Sequence, residues 1–172
     1  PIPDSLITQW ENEAMAGGVI NSPCPYIIST TVAIGPKKIS CDLQISTGQA
    51  RVTLNGPLWV TGNITIKDSS RVTIGSSVGD KSVPIIADNL SDHVTSSKIT
   101  LQNSARFAGN GGANSYVILI SQNNSAEING GGDAIVVKDS GNKGPILVYA
   151  NHGNIDIENS GTLKQVSGYK IS

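Results

Sequence analysis

Aromatic residues make up only 4% of this 172-residue chain and charged residues only 15%, with a net charge of −1. So little charge leaves no basic footprint for nucleic acid or an anionic membrane surface. With few rings to fill a core, the apolar interior has to come from Ile, Val and Leu, which pack well on pleated sheet. No apolar run approaches the ~18–20 residues needed to cross a bilayer. There is no secretory leader, but the chain opens at Pro1 without Met, which reads as a mature or excised piece of a longer, membrane-anchored protein. Nucleophile-elbow, phosphate-loop and paired-cysteine zinc patterns are all missing. Gly130, Gly131 and Gly132 lack the strand–turn–helix setting of a phosphate loop. No cofactor and no metal site are expected. Cysteine is scarce too: Cys24 and Cys41 have no neighbouring His to make up a metal site. A disulfide between them is expected, with two buried free thiols as the alternative; the bridge would imply an oxidising compartment.

What the chain does have is glycine, 19 residues of it, and a repeat. Ile64–Ser69, Ile99–Ser104, Ile135–Ser140 and Ile155–Ser160 each read apolar, x, apolar, polar, Asx, Ser, and Leu43–Thr47 is a weaker copy. The alternation is a half-buried strand. The Asx-Ser pairs, Asp68-Ser69, Asn103-Ser104, Asp139-Ser140 and Asn159-Ser160, are corners, because short polar side chains bond their own backbone. A second element begins with proline, at Gly35-Pro36, Gly56-Pro57, Val83-Pro84 and Gly144-Pro145, and Tyr116–Asn123 fills the same slot without one. Copies recur about every 20–21 or 35–36 residues, the longer intervals carrying insertions at Gly75–Ser82 with Leu90–Lys98 and at Gly109–Ser115 with Asn124–Asp133. The expected fold is all-β: a right-handed parallel β-helix (β-solenoid) of about five coils. A sandwich also has many short strands, but does not require the in-register return of both elements.

Residues 1–20 form an N-terminal unit ahead of the coils at 21–172. Asp4–Gly17 reads as a helix with Asp4 or Ser5 at its N-cap, Gly17-Gly18 as its stop and an apolar stripe of Leu6, Trp10 and Ala14 with Ile7. Such a helix is expected to cap the open end of the solenoid. The C-terminal Tyr169–Ser172 has no cap and reads as a coil just starting; the expectation is either that the chain is cut there or that this end meets a partner, further copies of the chain included.

Catalytic residues are hard to find. The arginines Arg51, Arg71 and Arg106 stand just before strands, where a solvated charge is the plain expectation. Asp68 and Asp139 alternate with Asn in the other copies and so fill turns rather than donate protons. Asn151-His152-Gly153 reads as a turn, and so do the glycosylation sequons at Asn63, Asn89 and Asn123. His93 with Asp80 lacks any recognised cation-site spacing. The insertions break the period and remain unexplained by it, so ligand contacts are expected at Asp88, Asp92, His93, Asn123, Asn124 and Glu127.

The stretch Gly56-Pro-Leu-Trp-Val-Thr-Gly-Asn-Ile-Thr-Ile66, with Asp4-Ser5, Trp10-Glu11 and Ala16-Gly-Gly ahead of it, resembles the repetitive ectodomains of bacterial surface proteins. Type IV pilus-associated, minor-pilin-like proteins are among them. The resemblance covers nearly the whole chain and rests on structural motifs, so it carries over no catalytic residue. It implies a cell-surface location and an adhesive or assembly role. The expectation is therefore a non-enzymatic extracellular module whose partner is a surface glycan, a protein, or further copies of itself. The competing readings are a polysaccharide lyase or hydrolase and a self-assembling scaffold.

Overall fold

The computed structural model describes residues 1–138, 141–158 and 161–172. After one α-helix, Asp4–Ala16, the described chain is strands and turns with a single 3-10 turn at Ser76–Val78, and every strand pairing is parallel. Strands of the first arm run in the order Val19–Ile20, Lys37–Ile39, Leu58–Val60, Val83–Ala87, Val117–Ser121 and Ile146–Ile157. A second arm returns through Asp133–Val137, Ile99–Leu101, Ile64–Ile66, Leu43–Ile45 and Tyr26–Ile28. The long strand Ile146–Ile157 belongs to both arms, pairing with Val117–Ile120 through its first half and with Asp133–Val137 through its second. Gln165–Ile171 adds to it, which completes a single twelve-stranded sheet. A four-stranded sheet of Arg106–Ala108, Arg71–Ile74, Arg51–Leu54 and Thr31–Ile34 forms the remaining side, and Gly141–Asn142 pairs with Gly161–Thr162.

The repeat is visible as register. Leu43, Ile64, Ile99, Ile135 and Ile155 are successive partners across the second arm, each almost fully buried. Stacked on this column are Ile45, Ile66, Leu101 and Val137, all in the main core with Val52, Val72 and Phe107 from the four-stranded sheet. The corners explain themselves in dihedral terms. Asp68 and Ser69 are both left-handed (φ 59° and 60°), as are Asn103 and Ser104 (φ 52° and 65°). Short polar residues tolerate that region best after glycine. Neighbouring corners also bond, Asn103 Nδ2 donating to Asp68 Oδ1 at 2.9 Å. The other two expected corners, Asp139-Ser140 and Asn159-Ser160, lie outside the described residues.

The expected architecture, a right-handed parallel β-helix of about five coils with an end-capping helix, needs correcting. The two arms join through Ile146–Ile157 into one curled twelve-stranded sheet with a single helix. That helix lies on the outer face of the first arm rather than over an end. Two-sided burial is the reason. Val83–Ala87 and Val117–Ser121 are buried at every position, as parallel strands covered on both faces are. Val83, Ile85, Val117 and Leu119 point into the core, while Ile86, Ile118, Ile120 and Tyr149 point outward and pack under Ile7, with Ile2 and Trp10 beside them. The helix thus forms an α/β-type layer on the sheet. Its buried side is Ile7, Glu11 and Ala14, so a carboxylic acid occupies the stripe that Leu6 was expected to share. Its N-cap is Pro3, without a side-chain cap bond, rather than Asp4 or Ser5.

Cys24 and Cys41 are disulfide-bonded, with a Cα–Cα distance of 5.9 Å, which rules out the free-thiol alternative. Among the described residues no helix is long and apolar enough to cross a membrane.

Candidate functional site

The insertions stack in pairs. Asn110 Nδ2 donates to Gly75 O and Gly79 O, and Asn114 bonds both carboxylate oxygens of Asp80, so the first insertion rests on the third. Asp80 is thereby committed to Asn114. The second insertion rests on the fourth through Asn123. This side chain is fully buried; its Nδ2 donates to Val94 O at 2.9 Å and Ser96 O at 2.7 Å, and its Oδ1 accepts from Ser125 N and Ser125 Oγ. Asn123 therefore holds two loops together. Asp92 is also occupied: Oδ1 accepts from Val94 N and Thr95 N, and Oδ2 from the Thr95 hydroxyl. Those bonds, the Thr95 hydroxyl foremost, hold its carboxyl below the usual aspartate value.

The second loop pair meets the helix and the bend of the long strand at a shallow groove of about 300 Å³ lined by Asp4, His93, Gln122, Asn124, Glu127 and His152. Asp4 comes from the first turn of the helix. Gln122 and Asn124 flank the buried Asn123, and the backbone N–H of Asn124 donates to His93 O at 2.8 Å. His152 sits where Ile146–Ile157 passes from one arm to the other, a register irregularity between Ala150 and Asn154. Gly153 permits that bend, since a Cβ there would meet Ala134 Cβ at 2.2 Å and Asn123 O at 2.8 Å. Each imidazole is held by a carboxylate: His93 Nε2 lies 2.6 Å from Asp88 Oδ1, and His152 Nδ1 lies 2.6 Å from Glu127 Oε2. The opposite ring nitrogen of each histidine is the one left for other contacts. Asn151 Nδ2 approaches that of His152 at 3.4 Å.

Behind His93 the chain of polar groups continues inward. Asp88 is 4% exposed and its backbone carbonyl accepts from Trp59 Nε1 at 2.9 Å. Its carboxylate also meets Glu11 of the helix, 7% exposed. Burial, then the hydrogen bond to Asp88 and its charge, push the Glu11 carboxyl from an ordinary 4.5 up to about 8, against the opposing pull of Lys38. At neutral pH Glu11 is therefore the protonated partner and donates to Asp88. Its Oε1 has no hydrogen-bond partner. Lys38 lies over the Trp59 ring, 4.1 Å from its centroid.

Of the six residues expected to contact a ligand, His93, Asn124 and Glu127 line the groove, Asp88 supports it from behind, and Asp92 and Asn123 shape its loops. Asp4, Gln122 and His152 line it as well and were not anticipated. The turn reading of His152 saw the bend but not that the bend faces the helix. Among the described residues no cluster of three His, Cys, Asp or Glu side chains is placed to hold a metal ion. No serine, threonine or cysteine side chain among them hydrogen-bonds either imidazole. The arrangement offers hydrogen-bond donors and acceptors for polar recognition. No family model matches the chain, and no curated protein or solved structure is significantly similar to it.

Proposed function

We propose that this chain is a non-enzymatic, extracellular adhesive module of a bacterial surface, one that holds a neutral glycan in the groove between the helix and the second loop pair. The observation that carries this reading is the groove itself: two imidazoles fixed by carboxylates, beside side-chain amides, on loops that Asn123 locks in place. Rigid, mixed donors and acceptors suit sugar hydroxyls, and ordering them beforehand lowers the cost of binding. Asp4 and Glu127 disfavour an anionic ligand at the same place. The disulfide suits an oxidising compartment outside the cytosol, and the pilus-associated resemblance of the Gly56–Ile66 stretch points the same way.

The test is a glycan array with the purified chain, followed by titration of the best neutral oligosaccharide. Wild type is expected to bind, and Glu127→Ala with His152→Ala to weaken binding at least roughly tenfold, about 1.4 kcal/mol. Absence of binding to any neutral glycan, together with no adhesion to cells, overturns the reading. So does the release of new reducing or unsaturated ends from a polysaccharide incubated with the protein, which would make it an enzyme.

A further inference from the structure

The chain has three arginines in all, and the four-stranded sheet places them in one column: Arg51 pairs with Arg71, and Arg71 with Arg106. Alternation along these strands turns Val52, Val72 and Phe107 into the core and leaves the three arginines exposed on the outer face. Adjacent strands lie about 4.8 Å apart, and like charges side by side across strands oppose folding. Among the described residues neither Arg71 nor Arg106 pairs with a carboxylate, and Arg51 reaches only backbone oxygens, those of Gly48 and Ala50. Beside the arginines runs a second outward column, Thr53, Thr73 and Ala108, which is low and half-buried. Arg71, Arg106, Thr73 and Ala108 line a shallow depression of about 380 Å³ that shares no residue with the groove of the preceding section.

We propose that this face binds a linear, carboxylate-bearing polysaccharide, laid across the strands so that successive acid groups meet successive arginines. A guanidinium is a planar fork that takes a carboxylate through two hydrogen bonds. A charge repeated along one direction matches a ligand whose charge also repeats. The threonine and alanine column beside it leaves a flat shelf for sugar rings. Duplex nucleic acid fits less well, because the rest of the surface adds no basic belt and the net charge is −1.

The experiment measures binding of the full chain to immobilised polygalacturonate, with dextran and duplex DNA as comparison surfaces, over a range of salt. Wild type is expected to bind polygalacturonate, with affinity falling as salt rises from about 50 to 200 mM. Arg71→Gln with Arg106→Gln is expected to weaken binding at least roughly tenfold. Its melting temperature should be unchanged or higher, since a like-charge pair is removed. Arg71→Lys with Arg106→Lys, which keeps charge and loses the fork, should fall between. Three results overturn the proposal: no binding by wild type, equal binding by the folded Gln variant, or tighter binding to DNA than to polygalacturonate.

Discussion

Glu11→Gln is the most telling single substitution. In the native chain this carboxyl is buried against Asp88 and keeps its proton up to about pH 8, whereas in the unfolded chain it releases it near 4.5. Below the lower value both states are protonated and the residue costs nothing. Between the two values only the unfolded state ionises, so stability falls by up to ~1.4 kcal/mol per pH unit. Above pH 8 the native state ionises too and the loss levels off, at a ceiling of about 4–5 kcal/mol. Glutamine has no proton to lose, and its amide donates to Asp88 as the protonated acid does. The variant should match wild type near pH 4.5 and exceed it at pH 7 by about 1–3 kcal/mol, the interval from 4.5 to 7 setting the upper end and a weaker amide hydrogen bond to Asp88 the lower. Urea unfolding at several pH values, followed by the fluorescence of Trp59 beside Asp88, reads this directly. A variant no more stable than wild type at pH 7, or a gain that does not shrink toward pH 4.5, refutes the assignment of the shared proton.

Asn123→Ala removes the amide that ties two loops together and leaves Val94 O and Ser96 O without that donor; a loss of about 2–4 kcal/mol is expected by chemical denaturation, with faster amide exchange across residues 89–98. Gly153→Ala puts a Cβ 2.2 Å from that of Ala134, so it should lower stability by about 1–3 kcal/mol and disturb the His152–Glu127 pair, read by imidazole NMR shifts. Replacing Cys24 and Cys41 by serine opens a link spanning 17 residues and should cost roughly 3 kcal/mol in a thermal melt, matching the effect of reductant on wild type.

The sequence alone makes the column from Leu43 to Ile155 legible, because a two-residue alternation followed by an Asx-Ser corner has one cheap backbone solution, a pair of left-handed residues. The sheet organisation was less accessible. Val117–Ser121 is apolar at four successive positions, which periodicity cannot divide into an inward and an outward set, so the need for a helix on the outer face goes unseen. The extent of the helix is legible in Asp4–Gly17, but its apolar stripe does not say whether it meets an end or a face of the sheet. Pro145 illustrates a subtler limit. It looks equivalent to Pro57 and Pro84, yet Ile146 and Val83 both align with Val117, which puts Leu147 level with Pro84 and sets Pro145 two residues out of step with it. For the groove, the inserted loops supply His93, Asn124 and Glu127 to its lining. They could not separate Asn123, which builds the loops, from Asn124, which faces outward, and only three-dimensional pairing brings His152 to Glu127.

The strand Ile146–Ile157 has a mechanical meaning as well. Because it is shared by both arms, a pull that peels strands away from the N-terminal side meets them one at a time, each held by a short ladder of two to five residue pairs. The same unzipping then stalls at a twelve-residue strand anchored on two neighbours and backed by Gln165–Ile171. Stretched at a single-molecule level, the protein should yield through a series of low-force steps and a final, higher one; a single all-or-none rupture would show that the arms resist load as one body.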